Sequence, residues 1–156
     1  MAAQDFNKTP NKNKVPVMTR KILLTGPALA ADATAFADSQ DILIIPTTPY
    51  LPAAELTAII QQEQPDAIIV RQGKLTREMI QASAKLKVIA KHGVGYDTID
   101  IQAAAEHGVP VTIALGANAQ SVAEHAFALM FSVARQTAWL DARTRAGHWD
   151  KATANG

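Results

Sequence analysis

Five short apolar runs recur along the chain, and their lack of alternation constrains the fold more than any other feature. They occupy residues 21–25, 41–45, 66–70, 86–90 and 110–115. A strand with one solvent-facing side alternates polar and apolar residues, whereas a strand covered on both faces is apolar almost throughout. Runs of the second kind are typical of a parallel sheet with helices on both sides.

The segments between these runs have helical character, as when Leu56, Ile59 and Ile60 recur at helical spacing. Predicted helices lie at residues 28–38, 52–64, 76–84 and 98–107. Right-handed crossovers between parallel strands then produce a doubly wound, flavodoxin-like α/β layer. We therefore predict a five-stranded parallel sheet with strand order 2-1-3-4-5.

The pattern changes at Asn118, a residue type that caps the amino termini of helices. One apolar face follows, marked by Val122, Ala126, Leu129, Val133 and Leu140. We predict a single helix to about residue 145, which would be about 40 Å long at 1.5 Å per residue. Because a five-stranded layer needs less, this helix is expected to contact another partner.

The predicted organisation has four parts. A disordered leader (residues 1–19) precedes the sheet domain (20–117), the long helix (118–146) and a truncated linker (147–156). The leader is rich in Lys, Asn and Pro and lacks the apolar centre of a secretory signal.

Composition excludes several classes of function. Fifteen basic and fourteen acidic residues leave a net charge of +1, so nothing favours nucleic acid or an anionic membrane as a partner. No segment approaches the ~18 uninterrupted apolar residues of a membrane-spanning helix. The absence of cysteine excludes disulfides and thiolate metal sites and fits a reducing compartment, so we expect a cytoplasmic protein. Glu124 and His125 are adjacent on a helix and cannot form an i, i+4 metal pair, so no metal site is predicted.

A Gly-x-Gly turn, Gly93-Val94-Gly95, follows the fourth apolar run. In an open α/β sheet, small ligands bind at the carboxyl ends of the strands. Backbone N–H groups that no side chain shields can close on an anion there. His92 lies in the same loop and is a candidate for a direct role there. The loop is therefore a candidate site for a carboxylate or a phosphate, although a turn that only reverses the chain remains an alternative.

Three further features lie at this edge of the predicted sheet. The nucleotide fingerprint G-x-G-x-x-G is incomplete, because Thr98 occupies its sixth position and the next strand offers no acid for a ribose. Arg71, just beyond the third strand, could pair with an anionic substrate or could be a solvated arginine. The turn after the first strand, residues 25–28, has too few donors for a phosphate or a flavin.

Three stretches resemble the D-isomer-specific 2-hydroxyacid dehydrogenases, especially the phosphoglycerate dehydrogenase-like members. They are DAIIVR at 66–71, LKVIAKHGVGYDTID at 86–100 and NAQSVAEH at 118–125, and RAGHW at 145–149 also fits. The resemblance covers about residues 20 to 150. The second and third stretches together make it specific.

The resemblance implies a two-domain enzyme that interconverts 2-keto acids and D-2-hydroxy acids with NAD or NADP. It implies that backbone amides of the loop at Val94 and Gly95 hold the substrate carboxylate and that Asn118 lines the cleft. Arg71 matches an arginine that contacts substrate in some members, although the following Gln72 departs from the usual serine. The helix from Asn118 resembles one that crosses to the cofactor domain, which predicts a homodimer through residues 118–145.

The resemblance also identifies what this sequence lacks. In the family, a glycine fingerprint and the catalytic Arg, Glu and His follow the region that matches Trp149, and none of them occurs here. We therefore expect the amino-terminal half of such an enzyme, with no catalytic residues, no Rossmann domain, no bound cofactor and no activity alone. The alternative is a stand-alone module that binds a small acid, or dimerises, without catalysis.

Overall fold

The computed structural model describes residues 19–149. The expected leader and linker fall almost entirely on residues 1–18 and 150–156, which lie outside the described residues. Within 19–149 the strands are β1 Arg20–Leu24, β2 Ile42–Pro46, β3 Ala67–Val70, β4 Val88–Lys91 and β5 Val111–Ile113. The helices are α1 Ala31–Ser39, α2 Ala53–Glu63, α3 Arg77–Gln81, α4 Ile101–Glu106, α5 Ala119–Ala134 and α6 Thr137–Arg145.

The five strands form one parallel sheet in the order β2-β1-β3-β4-β5. This confirms the predicted flavodoxin-like topology. In the centre of the sheet, Leu23 of β1 lies opposite Ile68 of β3, and Ile68 lies opposite Ile89 of β4. All three side chains are fully buried, as are Ile60 of α2 and Ile80 of α3. The continuous apolar runs are thus explained by helices that cover the central strands.

The prediction of a single helix from Asn118 is wrong, because the helix is interrupted at residues 135–136, between α5 and α6. Gln136 adopts a left-handed conformation, with φ of 51°, which ends α5 and starts α6 in a new direction. Ser132 Oγ and Thr137 Oγ1 lie 2.6 Å apart across the break. Neither glycine nor proline marks this position in the sequence, and the apolar stripe continues through it, so periodicity gave no signal of the break.

One helix lacks its expected capping hydrogen bond, and another begins later than expected. Asn118 stands at the amino-terminal cap position of α5, but its side chain makes no capping hydrogen bond. The helix α4 begins at Ile101 rather than at Thr98, because the Asp100 carboxylate caps it by accepting the Ala103 N–H at 2.8 Å.

Helix α5 has no buried residue, although much of its surface is apolar. Phe131 is 64% exposed, and Phe127 stacks on it with ring centroids 6.4 Å apart. The sheet domain leaves this surface uncovered in the described chain. No helix between residues 19 and 149 combines the length and the apolar character needed to cross a bilayer.

Asp66 joins three strands at the edge of the sheet opposite the glycine loop. Its Oδ2 accepts the backbone N–H of Lys21 in β1 at 3.1 Å, and its Oδ1 accepts Nζ of Lys87, just before β4, also at 3.1 Å. The hydrogen bond from Lys21 is the main reason that the pKa of Asp66 lies below its ordinary value. Partial burial opposes this effect, and the Lys87 ammonium adds to it.

Replacing Asp66 with Asn should destabilise the fold at neutral pH but not in acid. Because the pKa of Asp66 is lower in the folded chain, its charge stabilises the fold above roughly pH 4, and this contribution is lost as the pH falls through the folded pKa. We expect Asp66→Asn to lower the free energy of unfolding by about 1–2 kcal/mol at neutral pH. Urea denaturation across the acid range measures the difference, which should shrink towards zero.

A matched control is Asp141→Asn, since Asp141 pairs with Arg145 on an exposed helix surface. That variant should change stability by no more than about 0.5 kcal/mol. A destabilisation by Asp66→Asn that stays constant as the pH falls would contradict the assigned role of the charge.

Candidate functional site

The glycine loop, residues 92–97, is anchored to the strands on either side of β4. The His92 N–H donates to the Val70 carbonyl at the end of β3, at 3.0 Å. The Gly93 carbonyl accepts the N–H of Ala114, just after β5, at 2.9 Å. Gly93 itself has φ of 135°, a conformation that side chains disfavour. The start of the loop is therefore fixed on both sides.

The far end of the loop is held by the segment that leaves β3. Leu75 and Ile99 form an isolated parallel bridge, in which the Leu75 N–H donates to Thr98 at 2.9 Å and the Asp100 N–H donates to Leu75 at 3.0 Å. Both Leu75 and Ile99 are buried. The loop is thus a rigid link between β4 and α4.

The amides of residues 94–97 in this loop are uncommitted, and Val94 and Gly95 come first among them. The N–H groups of Val94 and Gly95 donate to no acceptor among residues 19–149, whereas those of His92 and Gly93 are both used by backbone carbonyls. A Cβ at Gly95 would lie 3.2 Å from Asp97 Oδ1, so a side chain there would require the Asp97 carboxylate to move. Two neighbouring free donors at the carboxyl edge of a parallel sheet can bind a carboxylate.

A cleft of about 380 Å³ lies beside the loop. It is lined by His92, Gly93, Ala114, Ala117 and Asn118. Three of the predicted site residues, His92, Gly93 and Asn118, therefore share one cavity, and its volume suits a small molecule. The Asn118 amide is free of a capping role and can hydrogen bond within it. Ala114 and Ala117 were missed because a small apolar side chain gives no chemical signal in a sequence.

Arg71 is not brought to this cleft. Its guanidinium Nη1 donates to the carbonyl of Ala28, in the loop that follows β1. In the sheet, β1 and β4 lie on opposite sides of β3, so the side chain leans away from the glycine loop. An arginine carries five N–H donors, and the hydrogen bond to Ala28 uses one N–H of the Arg71 guanidinium.

The other cavities and charged groups of the described chain are weaker candidates for a ligand site. A larger cavity of about 570 Å³ lies between α4 and β5, but its lining is mainly apolar, with residues such as Ile101 and Val111, and it has no charged group. The pKa shift of Asp66 belongs to the opposite edge of the sheet. Among residues 19–149 there is no group of three or more His, Cys, Asp or Glu side chains that could hold a metal ion.

Comparison with known proteins is informative once this geometry is in place. A family model described as "D-isomer specific 2-hydroxyacid dehydrogenase, catalytic domain" matches residues 22–151, which is most of the chain. The chain belongs to the D-isomer-specific 2-hydroxyacid dehydrogenase family. The match confirms the resemblance found in the glycine loop and its neighbouring stretches.

Individual members of the 2-hydroxyacid dehydrogenase family are similar over part of their length. D-3-phosphoglycerate dehydrogenase 2, chloroplastic, of Arabidopsis thaliana is 49% identical over 88 residues, which cover 55% of this chain and 14% of the relative. Hydroxypyruvate reductase of Thermotoga maritima is 40% identical over 111 residues, which cover 70% of this chain and 36% of the relative. The chain thus spans well under half the length of these relatives.

Solved structures of the family share the fold. A glyoxylate reductase from Paecilomyes thermophila has a TM-score of 0.73 at 28% identity, covering 91% of this chain and 45% of its own. A 3-phosphoglycerate dehydrogenase from Entamoeba histolytica, solved with NAD+, has a TM-score of 0.65 at 27% identity, covering 75% and 40%. In both cases the similarity spans less than half of the solved chain.

Amide hydrogen exchange checks the geometry of the loop. We expect the Val94 and Gly95 amides to exchange at nearly the rate of an unfolded chain, because no acceptor protects them. The amides of His92 and Ala114, which donate to backbone carbonyls at 3.0 and 2.9 Å, should exchange only when the sheet opens. NMR-detected exchange of the chain measures all four, and strong protection of Val94 and Gly95 would mean that other groups already occupy them.

Proposed function

We propose that this chain provides the substrate-binding part of an oxidoreductase that interconverts 2-keto acids and D-2-hydroxy acids with NAD or NADP. The observation that carries the proposal is the pair of uncommitted amides, Val94 and Gly95, on an anchored loop in a chain of this family. Relatives named phosphoglycerate dehydrogenase, hydroxypyruvate reductase and glyoxylate reductase support a small hydroxy or keto acid as the substrate class.

Each candidate residue has a role in this proposal. The amides of Val94 and Gly95 hold the substrate carboxylate, while His92, Gly93 and Asn118 line the space beside it. The reacting carbon of a 2-keto acid is bonded directly to the carboxylate carbon. An anchored loop therefore fixes the position of the reacting carbon as well, which lowers the entropic cost of the reaction.

The described residues do not fit a dinucleotide. The one Gly-x-Gly turn within residues 19–149 has Thr98 where the fingerprint needs a third glycine. The strand that follows, β5, carries Val111, Thr112 and Ile113 and no acid to hold a ribose. We therefore assign substrate binding to this chain, and we assign no step of hydride transfer to its described residues.

The proposal is tested first by activity. The 156-residue chain, mixed with NADH and hydroxypyruvate, should not oxidise NADH, because hydride transfer needs a nicotinamide held against the substrate carbon. Measurable oxidation would overturn the assignment of substrate binding alone. Calorimetry with the same acid distinguishes the alternative, since a stand-alone binding module should bind the acid tightly, whereas a chain that supplies only part of the site should bind it weakly, with a Kd in the millimolar range.

Binding at the loop is tested residue by residue. Hydroxypyruvate at millimolar concentration should shift the NMR signals of the Val94 and Gly95 amides more than those of any other amide. Gly95→Ala should reduce these shifts, because the new Cβ would lie beside the two amides, 3.2 Å from Asp97 Oδ1, and would crowd a carboxylate bound there. Gln61→Ala is the control, since Gln61 lies on the exposed surface of α2, where alanine is well tolerated. Equal effects of the two variants would argue against the loop.

We further propose that two copies of the chain associate through α5 and α6. The apolar surface of α5 supports this, because Phe127, Phe131 and Val133 are each more than half exposed. Two identical helices can cover such a surface by pairing about a twofold axis.

Sedimentation of matched variants tests the pairing. Phe131 on α5 and Phe36 on α1 are 64% and 66% exposed, so they differ in location rather than in burial. Phe131→Asp should convert the dimer to a monomer, since it places a charge in the interface, while Phe36→Asp should leave the sedimentation coefficient unchanged. A monomeric unmodified chain at high concentration would overturn the proposal.

A cytoplasmic location remains our proposal. It is supported by the absence of cysteine from the whole sequence, as expected for a protein that does not depend on disulfides. Cell fractionation tests this proposal. The protein should be recovered in the cytosolic fraction, and recovery in an organellar fraction would overturn it.

A further inference from the structure

A cavity with a polar lining lies at the edge of the sheet where the strands begin, opposite the edge that carries the glycine loop. It has a volume of about 380 Å³ and is lined by a threonine, a glutamine and five charged residues, which are Arg20, Lys21, Asp66, Lys85 and Lys87. Four of the five are basic, whereas the whole chain has a net charge of only +1. Positive charge is therefore concentrated around this cavity.

The order of the strands brings these residues together. Arg20 begins β1, Asp66 immediately precedes β3 and Lys87 immediately precedes β4, and the three strands are neighbours in the sheet. The Asp66 N–H donates to the Lys21 carbonyl at 2.9 Å, and the Lys87 N–H donates to the Asp66 carbonyl at 2.8 Å. The backbone around the cavity is therefore held in place by the sheet.

Two of the four cations have acidic partners. The Lys21 ammonium pairs with Glu63 Oε2 at 3.0 Å, and the Lys87 ammonium pairs with Asp66 Oδ1 at 3.1 Å. The other oxygen of Asp66 accepts the backbone N–H of Lys21. Both carboxylates are thus engaged by groups other than the two remaining cations.

The remaining cations, Arg20 and Lys85, have side chains without a partner. Neither side chain makes a hydrogen bond or an ion pair with a described residue. The Lys85 charge acts across the cavity, because it contributes to lowering the pKa of Asp66. Two like charges that line one cavity repel each other, and an anion bound between them would offset this repulsion.

We propose that this cavity binds a phosphate group, either as inorganic phosphate or as part of a phosphate monoester. A phosphate group carries about 1.5 to 2 negative charges at neutral pH, which suits two unpaired cations. The planar guanidinium of Arg20 can donate two parallel hydrogen bonds to phosphate oxygens, and the Lys85 ammonium adds a point charge. The polar lining favours a small ion over an apolar ligand. The site is separate from the glycine loop, so it goes beyond the proposed function.

NMR titration of the full chain tests the proposal. Inorganic phosphate should replace chloride at constant ionic strength, so that screening of surface charges stays the same. The amide signals of Arg20, Lys85 and Lys87 should then shift along a saturating curve. Signals of Val94 and Gly95 report binding at the opposite edge, so failure of either site is observed independently of the other.

A second probe distinguishes the two sources of the phosphate group. Glycerol 3-phosphate has a phosphate monoester and no carboxylate, and its Kd is measured from the same signals. Tighter binding of glycerol 3-phosphate would assign a phosphorylated metabolite as the ligand, whereas equal or weaker binding would assign inorganic phosphate. Shifts that rise without saturation for both probes would overturn the proposal.

Variants that remove one charge locate the site. Arg20→Gln and Lys85→Gln should each weaken phosphate binding about fivefold, the upper end of what one exposed ion pair contributes. Both side chains are exposed and unpaired, so the fold should be retained. Lys74→Gln is the matched control, since Lys74 is also an exposed lysine but lies outside the cavity. If Lys74→Gln weakens binding as much as Lys85→Gln, the proposal is wrong.

Thermal unfolding provides a second readout. A ligand that binds only the folded chain raises its stability, so phosphate should raise Tm above the value in chloride at the same ionic strength. Phosphate also stabilises folded proteins without binding a site. The double variant Arg20→Gln and Lys85→Gln separates the two effects, because only the part that is due to the site should disappear. An undiminished rise in the double variant would contradict the proposal.

Discussion

Because all five strands run in one direction, every loop that follows a strand leaves the sheet at the same edge. The glycine loop after β4, the turn after β1 and the segment after β3 meet there, and Asn118 follows β5. Backbone hydrogen bonds join each loop to its neighbour. The Gln72 N–H donates to the Thr25 carbonyl, the His92 N–H to the Val70 carbonyl, and the Ala114 N–H to the Gly93 carbonyl. These hydrogen bonds hold the loops of the candidate site next to one another. An antiparallel arrangement would send alternate loops to the opposite edge.

The sheet was predictable, because its signal is the burial of central strands on both faces. Leu23, Ile68 and Ile89 are fully buried and come from the apolar runs that predicted strands. The break at Gln136 was not predictable, since a left-handed residue that is neither glycine nor asparagine leaves no mark on hydrophobic periodicity. Asn118 occupies the cap position of α5 but makes no capping hydrogen bond. The residue type indicates that a side chain can cap a helix, and the local backbone decides whether it does.

The site was predictable in part, for a related reason. Glycine spacing located the loop, but a sequence does not tell which amides remain free, and Gly93 and His92 both use theirs within the backbone. For Arg71, strand order predicts a place beside β4, whereas the side chain leans towards β1. On that side Arg71 packs close to Gly26, 45 residues earlier in the chain, and no local pattern reports a contact of such sequence separation.

The isolated bridge between Leu75 and Ile99 joins the segment after β3 to the far side of the glycine loop. An insertion or deletion between Val70 and Leu75 would therefore shift Ile99, and with it the amides proposed to bind an acid. Families that diverge by changing loop length would find in this short stretch a way to alter substrate range while leaving Gly93, Val94 and Gly95 untouched. Substrate selectivity in such a protein can thus evolve through residues that do not contact the substrate.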